Sequence, residues 1–425
     1  MVLATLLLAA TLFQTDSAVA FVDVNVVPMN RDGVVEHQTV IVRGNRIAQM
    51  GPAAQIKAPR GARTINGHGK YLMPGLGDMH GGLPSPDAPP ELIENVLFLY
   101  LANGVTTVRG MQGTVPSLEL KARIARGGLL GPHLWVSGPA LTAATPDVAR
   151  RLVEEQHAAG FDQLRIQEGV SRDTYDTIAA TARRLGMRFA GPVPDNVGIY
   201  HVLASGQASI EHLDNYVETV SSPDSTDARI ARVVTATCKA HVWTVPTLSA
   251  WETLLGVEDS ASLAGREELR YMPAAWRQAW ARELSQAREQ HEQQEQRLVT
   301  LAMRRRILKA LQTAGCPVAI GTDSPGPYSV PGFSIVREMQ SMAAAGLTPQ
   351  QILLDGTRQV ARYFGAEHEF GTVAPGQRAD LLLLNGNPLT DLANVSRHVG
   401  VMISGRWITE ADIRARLERI ATSYQ

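Results

Sequence analysis

Residues 73 to 82 read Met-Pro-Gly-Leu-Gly-Asp-Met-His-Gly-Gly, and the hydrophobic pattern of the chain changes at this stretch. Before it, residues 21 to 72 alternate apolar and polar positions between turns at Asn30 to Gly33 and at Gly44-Asn45, which is typical of short antiparallel strands. After it, short apolar segments alternate with helix-length segments as far as residue 365. Strands separated by helices predict βα units and a parallel sheet.

The strand-like segments of this second region are residues 104–109, 134–137, 163–166, 188–190, 208–211, 242–246 and 318–321. About eight βα units fit here, and a closed eight-fold barrel explains that count better than an open sheet. The short-strand pattern returns at residues 379–384 and 401–403. We therefore predict an α/β fold, a (β/α)₈ TIM-type barrel with a small composite β-sandwich domain made from the N- and C-terminal segments.

This fold divides the chain into four parts. Residues 1–20 form a predicted signal peptide, because an apolar run too short to span a bilayer precedes the small residues Ala18-Val19-Ala20. Residues 21–72 are the first part of the β-sandwich, 73–369 the barrel, and 370–425 the second part of the sandwich with a C-terminal helix. We expect a secreted or periplasmic protein with no membrane span.

The composition of the 425 residues is that of an ordinary globular protein, 44% hydrophobic with a formal net charge of -1. This balance predicts no nucleic-acid partner, since phosphate binding needs clustered positive charge. Cys238 and Cys316 both lie in apolar segments, and a domain of this size needs no covalent bridge. We predict that the two cysteines are unpaired core residues. Residues 275–314, rich in helix formers, predict one long solvated helix.

The stretch at residues 73–82 resembles the first-strand motif of the amidohydrolase superfamily, in particular its imidazolonepropionase-like and secreted dipeptidase-like branches. Residues 104–109, 243–248, 320–325 and 371–381 resemble later motifs of the same family, in the same order. The resemblance implies the barrel fold, a small-molecule substrate and possible homo-oligomers. It also implies one or two divalent metals, which lower the pKa of a bound water.

The family holds its metals with a His-x-His pair, a carbamylated Lys, two further His and an Asp at strand ends. On this pattern His80, His212 and Asp323 stand at ligand positions. In the family His212 would belong to a different metal from the other two, so we expect the three not to converge on one ion without rearrangement. Asp78, two residues before His80, is expected to orient it.

Three other ligand positions are occupied by Gly82, Arg165 and Pro192. Glycine and proline offer no side-chain donor, and an arginine stays protonated and forms no carbamate. We therefore expect no metal at the usual two-metal site, the alternative being a single zinc or iron ion on the three retained ligands. We further predict that Arg165 pairs with Asp323 and fills the space where metals normally bind.

Three functions stay open. The first is a hydrolase of C–N bonds in amide, peptide-like or cyclic amide substrates that uses a reduced metal site. The second is a metal-independent lyase, isomerase or cyclase, in which Arg165 anchors a substrate carboxylate or stabilises an oxyanion while His212 and Asp323 act as an acid/base pair. The third is a non-catalytic binding protein. For any of them, Asp195 and His201, predicted on loops at the barrel mouth, are further candidates for substrate binding.

Overall fold

The computed structural model describes residues 18–85, 87–221, 226–290 and 294–424. Its strands are β1 Val19–Val26, β2 Val35–Arg43, β3 Arg46–Pro52, β4 Arg63–Asn66, β5 Tyr71–Pro74, β6 Leu76–Gly81, β7 Val105–Gly110, β8 His133–Val136, β9 Gln163–Arg165, β10 Arg188–Gly191, β11 Ser209–Glu211, β12 Trp243–Val245, β13 Leu381–Leu384, β14 His398–Ile403 and β15 Arg406–Thr409.

The helices are α1 Pro90–Ala102, α2 Val115–Ala125, α3 Pro146–Ala159, α4 Arg172–Leu185, α5 Ile199–Ser205, α6 Asp214–Val220, α7 Thr226–Ala240, α8 Leu248–Leu254, α9 Ser260–Ala264, α10 Ala274–Gln290, α11 Gln294–Thr313, α12 Ser334–Ala344, α13 Pro349–Asp355, α14 Arg358–Phe364 and α15 Glu410–Ser423, with short 3₁₀ turns at Glu267–Tyr271 and Leu392–Ser396. The region predicted as one long helix thus contains two described helices, α10 and α11. None of the described helices has the length and apolarity needed to cross a bilayer.

The strands from the two ends of the chain form one mixed sheet in the order β15-β14-β13-β5-β1-β2-β3, with β4 paired to β1. The two segments meet where β5 pairs antiparallel with β13. β13 is a run of four buried leucines, and buried residues of both segments, including Phe21 and Met402, form one apolar core. The pairing of the two segments is as predicted; a two-layered sandwich stays a prediction.

The central strands are parallel and lie in two sheets, β6-β7-β8 and β9-β10-β11-β12. A parallel bridge between Ser137 and Gln163 links them, and Val318 bridges Thr244 beyond β12. The predicted strand at residues 318–321 has this single bridge and no ladder. Its backbone is still paired on both sides, since Ala319 donates to Thr244 and Met79 donates to Ile320. With the surrounding helices, this is a mixed α/β fold consistent with a TIM-barrel domain.

The prediction that both cysteines are unpaired was wrong, because Cys238 and Cys316 form a disulfide with their Cα atoms 4.6 Å apart. Cys316 is buried, as predicted. Cys238 lies near the end of α7, and the packing of α7 against α11 brings it beside the segment that follows α11. A separation of 78 residues hides this proximity in the sequence.

The predicted signal peptide lies mostly outside the described residues, which begin at residue 18. Its last two residues, Val19 and Ala20, belong to β1, where they pair with Val42 and Ile41 of β2. The predicted boundary at residue 20 therefore falls inside a strand.

Candidate metal centre

The three retained ligands come together at one place. His80 lies near the end of β6, His212 directly follows β11, and Asp323 follows the segment that bridges β12. One ligand atom from each lies within 4.8 Å of the other two, and within the described part of the chain this is the one such group of three or more metal-ligand side chains. The prediction that these side chains would not converge was therefore wrong.

His80 is oriented from both ring nitrogens and from its backbone. Its Nδ1 lies 3.0 Å from Oε2 of Glu211, and its Nε2 lies 3.4 Å from Oδ1 of Asp323. Its backbone N–H donates to Asp78, which also accepts hydrogen bonds from Thr322. Asp78 thus contacts the main chain of His80, and its influence on the ring stays a prediction.

A carboxylate on Nδ1 is what a metal-binding histidine normally has, because it fixes the tautomer that leaves Nε2 as the ligand. Two ligands at about 2.1 Å from a tetrahedral zinc ion are about 3.4 Å apart. The separation of His80 Nε2 and Asp323 Oδ1 has this value. The geometry at His80 therefore fits a metal ligand.

Glu211 is kept ionised by Arg109, although both are completely buried. Nη2 of Arg109 lies 2.9 Å from each oxygen of Glu211, and Ser209 donates a further hydrogen bond. Burial alone would raise the pKa of Glu211, but the charge of Arg109 and the hydrogen bond with His80 outweigh it and lower this pKa to about 2. Glu211 therefore presents an ionised carboxylate to Nδ1 of His80, and Arg109 balances its charge.

His212 is held in a left-handed backbone conformation, with φ of 68°, which costs energy for a residue other than glycine. Its Nδ1 lies 2.8 Å from the hydroxyl of Thr247, so Nε2 is the nitrogen that would ligate a metal. Its carbonyl accepts a hydrogen bond from the buried Arg304. The rings of His212 and His80 lie side by side, 4.6 Å apart at their centroids.

Gly82 and Pro192 have no side-chain donor atom. A Cβ at Gly82 would come within 2.6 Å of Pro325 and 3.2 Å of the Ser324 carbonyl, so a histidine would not fit without movement of that loop. Pro192 is buried directly after β10.

Arg165 does not pair with Asp323, contrary to the prediction. The guanidinium contacts Oε1 of Gln112 at 3.4 Å, and its buried Nε has no hydrogen-bond partner among the described residues. Asp323 lies instead beside His80, because the segment after it bridges β6. Arg165 ends β9, whereas the three ligands come from β6, the residue after β11 and the segment that bridges β12.

Asp195 and His201 are not members of this cluster. His201 is on helix α5, not on a loop as predicted, and its ring contacts Arg172 and Asp176 of α4. Asp195 is exposed and accepts a long hydrogen bond of 3.4 Å from Asn215. Substrate binding by either residue stays a prediction.

Sequence reasoning missed Arg109, Glu211 and Thr247. A signal was present for the first two, since each is a charged residue inside an otherwise apolar strand segment, where it needs a partner. No pattern singled out Thr247, whose importance depends on its contact with His212.

The ends of the parallel strands bring together two histidines and an aspartate, and this arrangement is a candidate metal centre. The profile of the Amidohydrolase family matches residues 71–408, and the chain belongs to this family. Adenine deaminase 3 of Rhizobium meliloti is 22% identical over 409 residues, or 89% of this chain and 56% of the deaminase, so the chain spans about half of that relative.

Imidazolonepropionase of Rhizorhabdus wittichii is 25% identical over 83% of this chain and 88% of its own length. Among solved structures, bottromycin amidohydrolase superposes with a TM-score of 0.76 at 22% identity, covering 95% of this chain and 90% of its own. At this identity the structural likeness shows the shared fold.

Proposed function

We propose that this protein hydrolyses a C–N bond in an amide, peptide-like or cyclic amide substrate, with one divalent metal held by His80, His212 and Asp323. The observation that carries the proposal is the convergence of these three ligands within 4.8 Å. Family membership and the names of the relatives, a deaminase and an amidohydrolase among them, support the reaction class.

We infer that the parallel segments form a (β/α)₈ barrel. Three bridges support this, from Ser137 to Gln163, from Thr244 to Val318 and from Gly81 to Ser324. They join the two parallel sheets to each other, and each sheet to the segment at residues 318–324, as closure of a barrel requires. In such barrels the active site lies at the carboxyl ends of the strands, which is where the three ligands are.

The ligand set fits one divalent ion, since three protein ligands with an open position are usual for catalytic zinc. Such an ion, when bound, polarises a carbonyl and lowers the pKa of a water. The chain's own groups hold the geometry: Glu211 fixes the ring of His80, and Thr247 fixes that of His212. The side chain of Asp323 is 45% exposed, so its carboxylate can also take a proton from water and give it to the departing nitrogen.

Arg165 is the group proposed to bind the substrate. Its one hydrogen bond to a described residue is the long contact with the neutral Gln112, so its positive charge faces no carboxylate there. A guanidinium of this kind favours a ligand with a carboxylate, which it can bind with two parallel hydrogen bonds. The substrate is therefore proposed to carry a carboxylate near the scissile bond.

The test is the metal content of protein purified without chelators, together with turnover of a panel of N-acyl amino acids, dipeptides and cyclic amides. We expect about one equivalent of zinc or iron, lost together with turnover in His80→Ala. Arg165→Met is expected to raise KM selectively for substrates with a carboxylate, and Arg165→Lys to restore part of the binding.

Two results would overturn this function. Turnover without metal that depends on Arg165 would point to a metal-independent lyase, isomerase or cyclase. A protein with neither metal nor turnover across the panel would be a binding protein.

We also propose that the protein is exported, to the periplasm or the medium. The disulfide between Cys238 and Cys316 supports this, since such bonds persist in oxidising compartments. Fractionation of cells that express the full chain, with N-terminal sequencing of the product, would test it. A reduced, unprocessed protein in the cytoplasm would refute it.

A further inference from the structure

Glu338 is a buried acidic residue outside the ligand cluster. It lies on α12, has no exposed surface, and accepts hydrogen bonds from the backbone N–H groups of Leu248 at 2.9 Å and Ser249 at 2.7 Å. Both donors belong to the first turn of α8, where the N–H groups have no partner within the helix. Burying an acid is costly unless hydrogen bonds compensate, and burial raises the pKa of Glu338 to about 8 in spite of these two bonds.

The residue that it secures is Thr247, which directly precedes these two donors. Thr247 has φ of 46°, a left-handed conformation that is strained for a β-branched residue. The hydroxyl of Thr247 lies 2.8 Å from Nδ1 of His212. Two hydrogen bonds to Glu338 therefore fix the backbone immediately after the side chain that orients His212.

The same short helix is also held from its other side. Trp251 of α8 packs under Arg304, whose guanidinium carbon lies 3.7 Å from the ring centroid. Arg304 donates a hydrogen bond to the carbonyl of His212, itself in a left-handed conformation. The strained backbone at His212 and at Thr247 is thus stabilised by contacts with α8, and Glu338 accepts hydrogen bonds from the first turn of that helix.

We propose that Glu338 is a positioning residue for His212, acting through α8 and Thr247. When the acid group of Glu338 is removed, Thr247 relaxes toward an unstrained conformation and its hydrogen bond to His212 is lost. The inference rests on the proposed function in that His212 is taken as a metal ligand.

The test compares Glu338→Gln with Thr247→Val, which keeps the β-branched shape and removes the hydroxyl. Zinc affinity is measured by competition with a chromophoric chelator, and the cobalt-substituted protein gives a ligand-field spectrum. We expect each variant to weaken zinc binding by about tenfold or more and to change the cobalt spectrum. Both substitutions act on the contact between Thr247 and His212. The zinc affinity of the double variant should therefore lie within about twofold of that of the single variant that binds zinc more weakly.

The matched control is Glu268→Gln. Glu268 is a largely buried carboxylate against α12, where it accepts hydrogen bonds from Arg337, and none of its described hydrogen bonds or ion pairs goes to α8. Its loss should lower the melting temperature and leave zinc affinity and the cobalt spectrum unchanged. Unchanged zinc affinity in Glu338→Gln, or multiplicative losses in the double variant, would overturn the inference.

A second readout separates this inference from the proposed function. The ¹⁵N shifts of the His212 ring report whether Nδ1 carries the proton that Thr247 accepts, with no metal required. If wild type binds no metal, the proposed function fails, whereas loss of this tautomer in Glu338→Gln still supports positioning. Should Glu338→Gln not fold, Glu338→Asp withdraws the carboxylate by one methylene, and an unaltered His212 tautomer there would refute the role.

Discussion

Replacing Glu211 by glutamine tests the support behind His80 most directly. The change removes a negative charge that faces Arg109, while both side chains have no exposed surface. Leaving a buried cation without its carboxylate costs about 3 to 5 kcal/mol. Arg109 keeps the carbonyl of Met79 and the hydroxyl of Ser209 as acceptors, so we expect a loss near the lower end, about 3 kcal/mol.

The same substitution weakens the metal site for a different reason. The carboxylate of Glu211 lies 3.0 Å from Nδ1 of His80, and loss of such a partner typically lowers metal affinity about 10- to 100-fold. Stability would be measured by urea denaturation of the metal-free protein, and zinc affinity by chelator competition. The two effects have different origins and can be separated.

The separation comes from combining Glu211→Gln with Arg109→Met, which removes the stranded cation. We expect this double variant to recover most of the stability lost by the single variant, because no unpaired charge stays buried. Zinc affinity should remain low, since His80 still lacks its carboxylate. Zinc affinity that recovers together with stability would refute the view that Glu211 acts on the ligand.

Three further outcomes are expected. Replacing Cys238 and Cys316 by alanine should lower the free energy of unfolding by about 2 to 4 kcal/mol relative to disulfide-bonded wild type, because the bond closes a long loop. Reduced wild type, which also lacks the bond, is the control and should show a similar loss. Gly82→His should destabilise the protein by about 1 to 3 kcal/mol through its clash with Pro325 and should not raise metal stoichiometry above that of wild type. Burial would raise the pKa of Asp380 from 3.8, but neighbouring histidine and arginine side chains lower it to about 2. The ionised form of Asp380 therefore stabilises the fold above pH 4. The free energy of unfolding of wild type should exceed that of Asp380→Asn by roughly 2 kcal/mol at pH 5, and this difference should shrink as the pH falls toward 2. A difference that stays constant over this range would contradict the assignment.

Much of the fold could be predicted because it follows from local pattern. Alternating positions before residue 72 and strand-helix repeats after it correspond to the mixed sheet and the parallel strands. The segment at residues 318–321 has the right pattern but only one bridge, at Val318, and other backbone hydrogen bonds join it to Thr244 of β12 and Met79 of β6. Local pattern predicts an extended backbone without predicting its partners.

The sequence by itself determined which donors exist, since His80, His212 and Asp323 are present and Gly82 and Pro192 have no donor atom. Only the tertiary structure decided that the three donors converge and that Arg165 stays away from Asp323. The physical reason is that convergence depends on strand order and on backbone strain at His212 and Thr247. Both are maintained by contacts between residues far apart in the chain, such as Glu211 with His80 and Glu338 with the start of α8.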